Sequence, residues 1–129
     1  MKTKFVGTRT AEGQCQVVKV TDQGETPLDP RLDLWNHSPT RFEFGYGGSG
    51  PAQTALAILA EVTGSDRLAV ALHQSFKWKF VASCPREGFE FSEQDIVDWV
   101  EEEKAKLEPW EWQEEEQDYE REHDPEISR

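Results

Sequence analysis

Apolar positions alternate with polar ones at the start of the chain and fall on every third or fourth residue after Gly50. The pattern predicts strands first and helices second. Phe5 to Arg9 and Gln14 to Val20 mix β-branched or aromatic residues with polar ones. Thr10-Ala11-Glu12-Gly13 between them has turn composition, so a β-hairpin is predicted. In the second run Cys15, Val17 and Lys19 share one face, and Gln16, Val18 and Val20 the other. Asp22-Gln23-Gly24 predicts a turn. Pro27 to Pro39 predicts a loop, because prolines and the Asn36-His37-Ser38-Pro39 string break any period. Arg41 to Tyr46 alternates Phe42, Phe44 and Tyr46, which predicts a third strand.

Pro51 suits the first turn of a helix, where its missing N–H costs nothing. With Gly50 as N-cap, Gln53 falls where a capping box would use it. Leu56, Leu59, Ala60 and Thr63 form one stripe, and Gly64 supplies the stop. Short, Ala-rich and nearly uncharged, this helix is expected to be the most buried element. Ser65 caps a second helix with Asp66 in its first turn. Leu68, Leu72, Phe76 and Phe80 recur every four residues and carry that helix to about Ser83, although the β-rich string Trp78 to Val81 leaves a strand possible there. Ser92 opens a third helix with Asp95 as box partner and Ile96, Trp99, Val100 and Leu107 as its apolar face; Pro109 stops it. The fold class expected is α+β: a small three-stranded antiparallel sheet, made mainly from residues 4–46, followed by three packed helices. One domain over 1–107 and an acidic extension over 108–129 complete the expectation.

Charge sharpens this division. From Glu93 to Arg129 there are 16 acidic residues against Lys104, Lys106, Arg121 and Arg129, which accounts for the whole net charge of −12. Residues 1–92 balance. A neutral body with a polyanionic appendage points to a basic partner, or to a surface built for nucleic acid. Direct nucleic-acid binding is disfavoured, because a sequence pI of about 4.6 means repulsion from phosphate at long range. The carboxylates Asp95, Asp98, Glu101, Glu102 and Glu103, continued by Glu114, Glu115 and Glu116, are the candidate partner-binding residues. Trp110 and Trp112 are candidate aromatic anchors, since large aromatics in a polar tail dock on the body or on a partner.

Catalytic chemistry finds little footing. His37 lies in a proline-bounded loop and His73 on a helix, without a nucleophile motif. Consecutive Glu101, Glu102 and Glu103 make a solvated face, not a tuned acid/base pair. Cys15 and Cys84 lack CxxC spacing, which suits a reducing cytoplasm, and no two of Cys15, Cys84, His37 and His73 sit at metal-ligand spacing. Gly47-Gly48-Ser49-Gly50 before a helix resembles a phosphate cradle, yet it lacks the Lys-Ser/Thr ending of a P-loop; a tight turn needing glycine is the plainer reading. No signal peptide is read at Met1-Lys2-Thr3-Lys4-Phe5, and no run reaches the ~20 residues of a membrane helix. The expectation is a non-enzymatic cytoplasmic protein, with no cofactor and no metal.

The segment Phe42-Glu43-Phe44-Gly45-Tyr46-Gly47-Gly48-Ser49-Gly50-Pro51-Ala52-Gln53, running into Thr54 to Leu59, resembles the signature of an uncharacterised domain family of plasmids, integrative elements and phages. The likeness continues through Leu72 to Lys77 and Ser92 to Trp99, covering about residues 4–100. The resemblance implies no reaction. It implies a mobile-element or viral origin, and small acidic proteins of that origin are often inhibitors of restriction or CRISPR complexes. The sharp expectation is an inhibitor that occupies a basic nucleic-acid-binding surface with its acidic face. The alternative is an accessory interaction module whose tail serves solubility.

Overall fold

The computed structural model describes residues 2–37 and 42–113. Strands β1 (Lys4–Arg9), β2 (Cys15–Thr21), β3 (Gly24–Pro27) and β4 (Gly88–Ser92) form one antiparallel sheet in the order β3-β2-β1-β4. The alternation read in the sequence sets the faces. Phe5 and Gly7 of β1, Cys15 and Val17 of β2 and Phe89 of β4 are buried on the helix side. Gly7 pairs with Phe89, and the Phe89 ring lies so close over it that any added Cβ would collide. A strand glycine here makes room for an aromatic on the next strand.

The α+β class stands, but among the described residues the sheet has four strands, and 42–46 of the expected third strand are not one of them. Arg41 lies outside the described residues, and 42–46 belong to no strand. The reason is where the backbone polar groups go. The Thr54 hydroxyl accepts from the Glu43 N–H at 3.1 Å and donates to the Glu43 carbonyl at 2.7 Å. The Phe44 carbonyl accepts from the Arg9 guanidinium, and the Gly45 N–H donates to the Val81 carbonyl. These bonds replace a sheet ladder. The strands missed are β3, whose residues are all exposed, and β4, whose Phe89/Phe91 alternation is compressed between Pro85 and a helix start.

Helix α1 (Ser49–Thr63) is buried at every residue from Gly50 to Ala60. It packs against the two helices that follow, as its composition foretold. Gly48, not Gly50, is its N-cap, so Gln53 makes no capping box; its buried side chain instead holds the loop that carries Pro30 and His37. Gly64 ends the helix at φ 65°, a left-handed conformation that glycine adopts freely. Helix α2 (Asp66–Phe76) begins on Ser65, whose Oγ accepts from the Leu68 N–H. It runs into a π turn, Lys77–Val81, in which the Ala82 N–H reaches back to the Lys77 carbonyl at 2.7 Å. The segment left open between helix and strand is therefore helical. Helix α3 (Glu93–Lys104) is capped by Ser92, which accepts from the Asp95 N–H, and ends before Pro109; Pro109–Glu111 is a separate 3-10 turn.

An aromatic cluster joins the layers. Phe76 stacks on Phe80 at 4.6 Å and meets Trp99 edge-on, while Phe91 packs against both phenylalanines. Among the described residues no helix is long and apolar enough to cross a membrane.

Candidate functional site

The acidic face lies on α3. Asp95, Asp98, Glu101 and Glu102 are exposed, because the helix turns Ile96 and Val100 to the core and leaves the intervening positions to water. Asp98 accepts from Gln94, and Glu101 lies 3.8 Å from Lys104. Glu103 is set apart: it is partly buried and paired with Lys106 at 2.7 Å. The two tryptophans separate as well. Trp110 is 72% exposed, its carbonyl held by Arg67 of α2 at 2.8 Å. Trp112 packs against the core with the Lys104 ammonium 4.7 Å over its ring. Beside Trp110 a cleft of about 330 Å³ is lined by Leu34, Asp66, Arg67, Val70, Ala71 and Glu111. Glu114, Glu115 and Glu116 lie outside the described residues.

A second cluster was not legible in the sequence. The loop after β3 brings His37 against His73 of α2, with Nε2 to Nε2 2.9 Å apart. Trp35 stacks on His37 at 5.0 Å with the planes 8° apart. Gln53 of α1 holds this loop at two points: its Oε1 accepts from the His37 N–H, and its Nε2 donates to the Pro30 carbonyl. One helical turn beyond His73, Lys77 places its ammonium 4.4 Å over the Trp78 ring. Burial first, then the Lys77 charge, holds the His37 imidazole below its ordinary pKa. Burial is also the leading cause for His73, so both rings are neutral at neutral pH. The His73-to-Lys77 spacing was a usable signal, since i and i+4 share a helix face. The approach of His37 was not.

The glycine loop is shaped by its neighbours. A Cβ on Gly47 would fall 2.3 Å from the Trp78 ring, and one on Gly50 would fall 2.5 Å from Glu43 Cβ. Glycine at both positions thus lets the Trp78 ring and Glu43 close over the loop, in agreement with the plainer reading of this motif. Glu43 is itself held by Arg9 at 3.4 Å and by the Cys15 thiol at 3.3 Å. Burial, and then Glu43, push that thiol up to about 11, so Cys15 is a poor nucleophile. Among the described residues no three His, Cys, Asp or Glu side chains converge as a metal site would require. His37 with His73, and Cys15 with Glu43, are in contact as pairs only.

The chain belongs to DUF6166, a family of unknown function, whose match spans residues 5–102. That span includes the histidine cluster and the acidic row as far as Glu102, and stops short of Glu103 and Trp110. No curated protein and no solved structure matches the chain.

Proposed function

We propose that this DUF6166 protein is a non-catalytic interaction module that offers the carboxylates of α3 to a basic surface on a partner. The observation that carries the reading is the exposed row Asp95, Asp98, Glu101 and Glu102, which leads to the exposed Trp110. Lysines and arginines that meet such a row would shed counterions as they do on duplex DNA. In its sharpest form the chain is a phage or plasmid product. The partner is then a host defence complex of the CRISPR or restriction type, whose nucleic-acid channel is the surface occupied.

The test is affinity capture from cells carrying the element, followed by titration of the captured complex with salt and with duplex DNA. An electrostatic contact weakens steeply with ionic strength and is displaced by the duplex. Reversal of Asp98, Glu101 and Glu102 together to Lys abolishes it while the fold persists, since exposed substitutions shift stability by under about 0.5 kcal/mol each. Glu103 is left alone because it pairs with Lys106. A charge-reversed, folded protein that binds at full strength defeats the proposal.

The apolar floor of the cleft beside Trp110 favours a second reading, an accessory module that docks by packing. Salt-insensitive binding lost on Trp110→Ala points to that one.

A further inference from the structure

The cleft beside Trp110 has an apolar floor and a charged rim. Leu34 of the loop after β3 and Val70 and Ala71 of α2 make the floor, and Asp66, Arg67 and Glu111 enclose it. Helix α2 dictates the split. It turns Leu68, Ala69, Leu72 and Phe76 to the core and leaves Val70 half-buried and Ala71 exposed. At about 330 Å³ the cleft stands at the small end of ligand pockets, which run from roughly 300 to 1,000 Å³. It suits one large side chain better than an extended ligand.

The edge of the cleft is held in place. Arg67 Nη2 donates to the Trp110 carbonyl at 2.8 Å, and the turn that carries Trp110 is closed by Glu111, whose Oε2 accepts from the Glu108 N–H at 2.7 Å. Trp110, 72% exposed, is thus an indole on a fixed backbone, and a contact made in advance costs less to order on binding. The charge around the cleft is negative: Asp33, Asp66, Glu108 and Glu111 stand against Arg31 and Arg67. Arg31 is shared between Asp33 and Asp66, and the Asp66 side chain stays 56% exposed. Lys104, at the end of α3, lies over the Trp112 ring, which sets the rim at the end of the acidic row.

We propose that the cleft receives one large apolar side chain from a basic segment of the partner, with lysines or arginines beside that anchor facing Asp66 and Glu111. The inference rests on the reading of the α3 carboxylates as a partner surface, and it names the segment that meets them. An apolar anchor in a pocket carries much of the energy of many interfaces. Complementary charge at the rim selects the sign of the partner.

The experiment titrates the full chain with three capped peptides, Lys-Lys-Phe-Lys-Lys, Lys-Lys-Ser-Lys-Lys and Glu-Glu-Phe-Glu-Glu, while NMR follows the Leu34, Val70 and Ala71 methyls and the Trp110 indole. The expected result is saturable movement of these signals with the first peptide, binding at least tenfold weaker with the second and none with the third. Ala71→Leu, at an exposed helix position, fills the floor and should weaken the first peptide at least tenfold in a protein whose circular dichroism is unchanged; Trp110→Ala should weaken it as well. Reversal of Asp98, Glu101 and Glu102 to Lys tests the row separately, and cleft binding kept in that variant upholds this inference even where the row has no partner. Movement confined to α3 overturns the cleft and leaves the carboxylate reading standing. Equal binding of the glutamate peptide, no saturable shift at all, or full-strength binding by both folded variants also overturns it.

Discussion

His37 and His73, 36 positions apart in sequence, meet nitrogen to nitrogen at 2.9 Å. The roles in that contact are fixed by a third group. His73 Nδ1 lies 2.7 Å from the Val70 carbonyl, which can only accept, so Nδ1 carries the proton. In the neutral ring Nε2 is then a bare lone pair, and His37 Nε2 donates to it. One proton bridges the two rings, and a second placed on His73 Nε2 would make that ring an imidazolium facing the His37 N–H, near Lys77.

Acid should therefore loosen this corner. Both imidazoles are held below the ordinary value of 6.5, so above that pH folded and unfolded chains are equally neutral there and the stability is whole. As pH falls from 6.5 through the folded values, the unfolded chain takes up protons first and stability declines. The melting temperature should fall between pH 7 and pH 5 in the natural protein, and less steeply in His73→Phe. Parallel slopes would show that the pair is not responsible.

Gly47 and Trp78 should behave as a coupled pair. Gly47→Val drives a side chain into the indole and should cost about 1–3 kcal/mol, as overpacking does. Replacing Trp78 with Ala removes the obstacle, so the double variant should recover much of that loss. Denaturant unfolding of the four proteins measures the coupling, and additive losses would refute the contact.

Thr54 replaces a strand ladder with one hydroxyl. Thr54→Val keeps the volume but leaves the Glu43 N–H and C=O without their partner. The expected loss is about 1–3 kcal/mol, the penalty for buried groups left unsatisfied. Hydrogen exchange should speed up at Glu43 and Gly45, and unchanged protection there would count against the bond.

Phe76 stands where α2, α3 and β4 meet. Phe76→Ala should cost about 3–5 kcal/mol, in the range of large-to-small changes at buried aromatics. Chemical denaturation reads this directly.

Cys15 should be slow toward thiol reagents near neutral pH. Its thiol is raised to about 11 by burial and by Glu43, so the thiolate fraction is small. Glu43→Gln removes one of the raising causes and should hasten labelling at pH 8. Equal rates in the two proteins would place the whole effect on burial.

Local signals carried most of the fold. The period-two pattern around Cys15 and Val17 set the buried face of β2, and the four-residue spacing of Leu68, Leu72 and Phe76 gave α2. Ser65 and Ser92 marked helix starts, where a hydroxyl satisfies an N–H three residues on. Each depends on neighbours within a few positions, which a sequence displays. Phe42 to Tyr46 failed as a strand because alternation says which face a residue prefers and not whether a partner strand lies beside it.

The candidate sites divide in the same way. The acidic row on α3 follows from helical spacing alone, with Ile96 and Val100 turned inward. Tertiary structure decided that Glu103 is paired, that Trp112 is packed while Trp110 is exposed, and that His37 reaches His73. It also decided that Lys77 is largely buried, its ammonium over the Trp78 ring. Charge is a property of one residue and is legible in the sequence. Its pairing and its solvent depend on which distant segments the fold brings together, and those are set only when the chain packs.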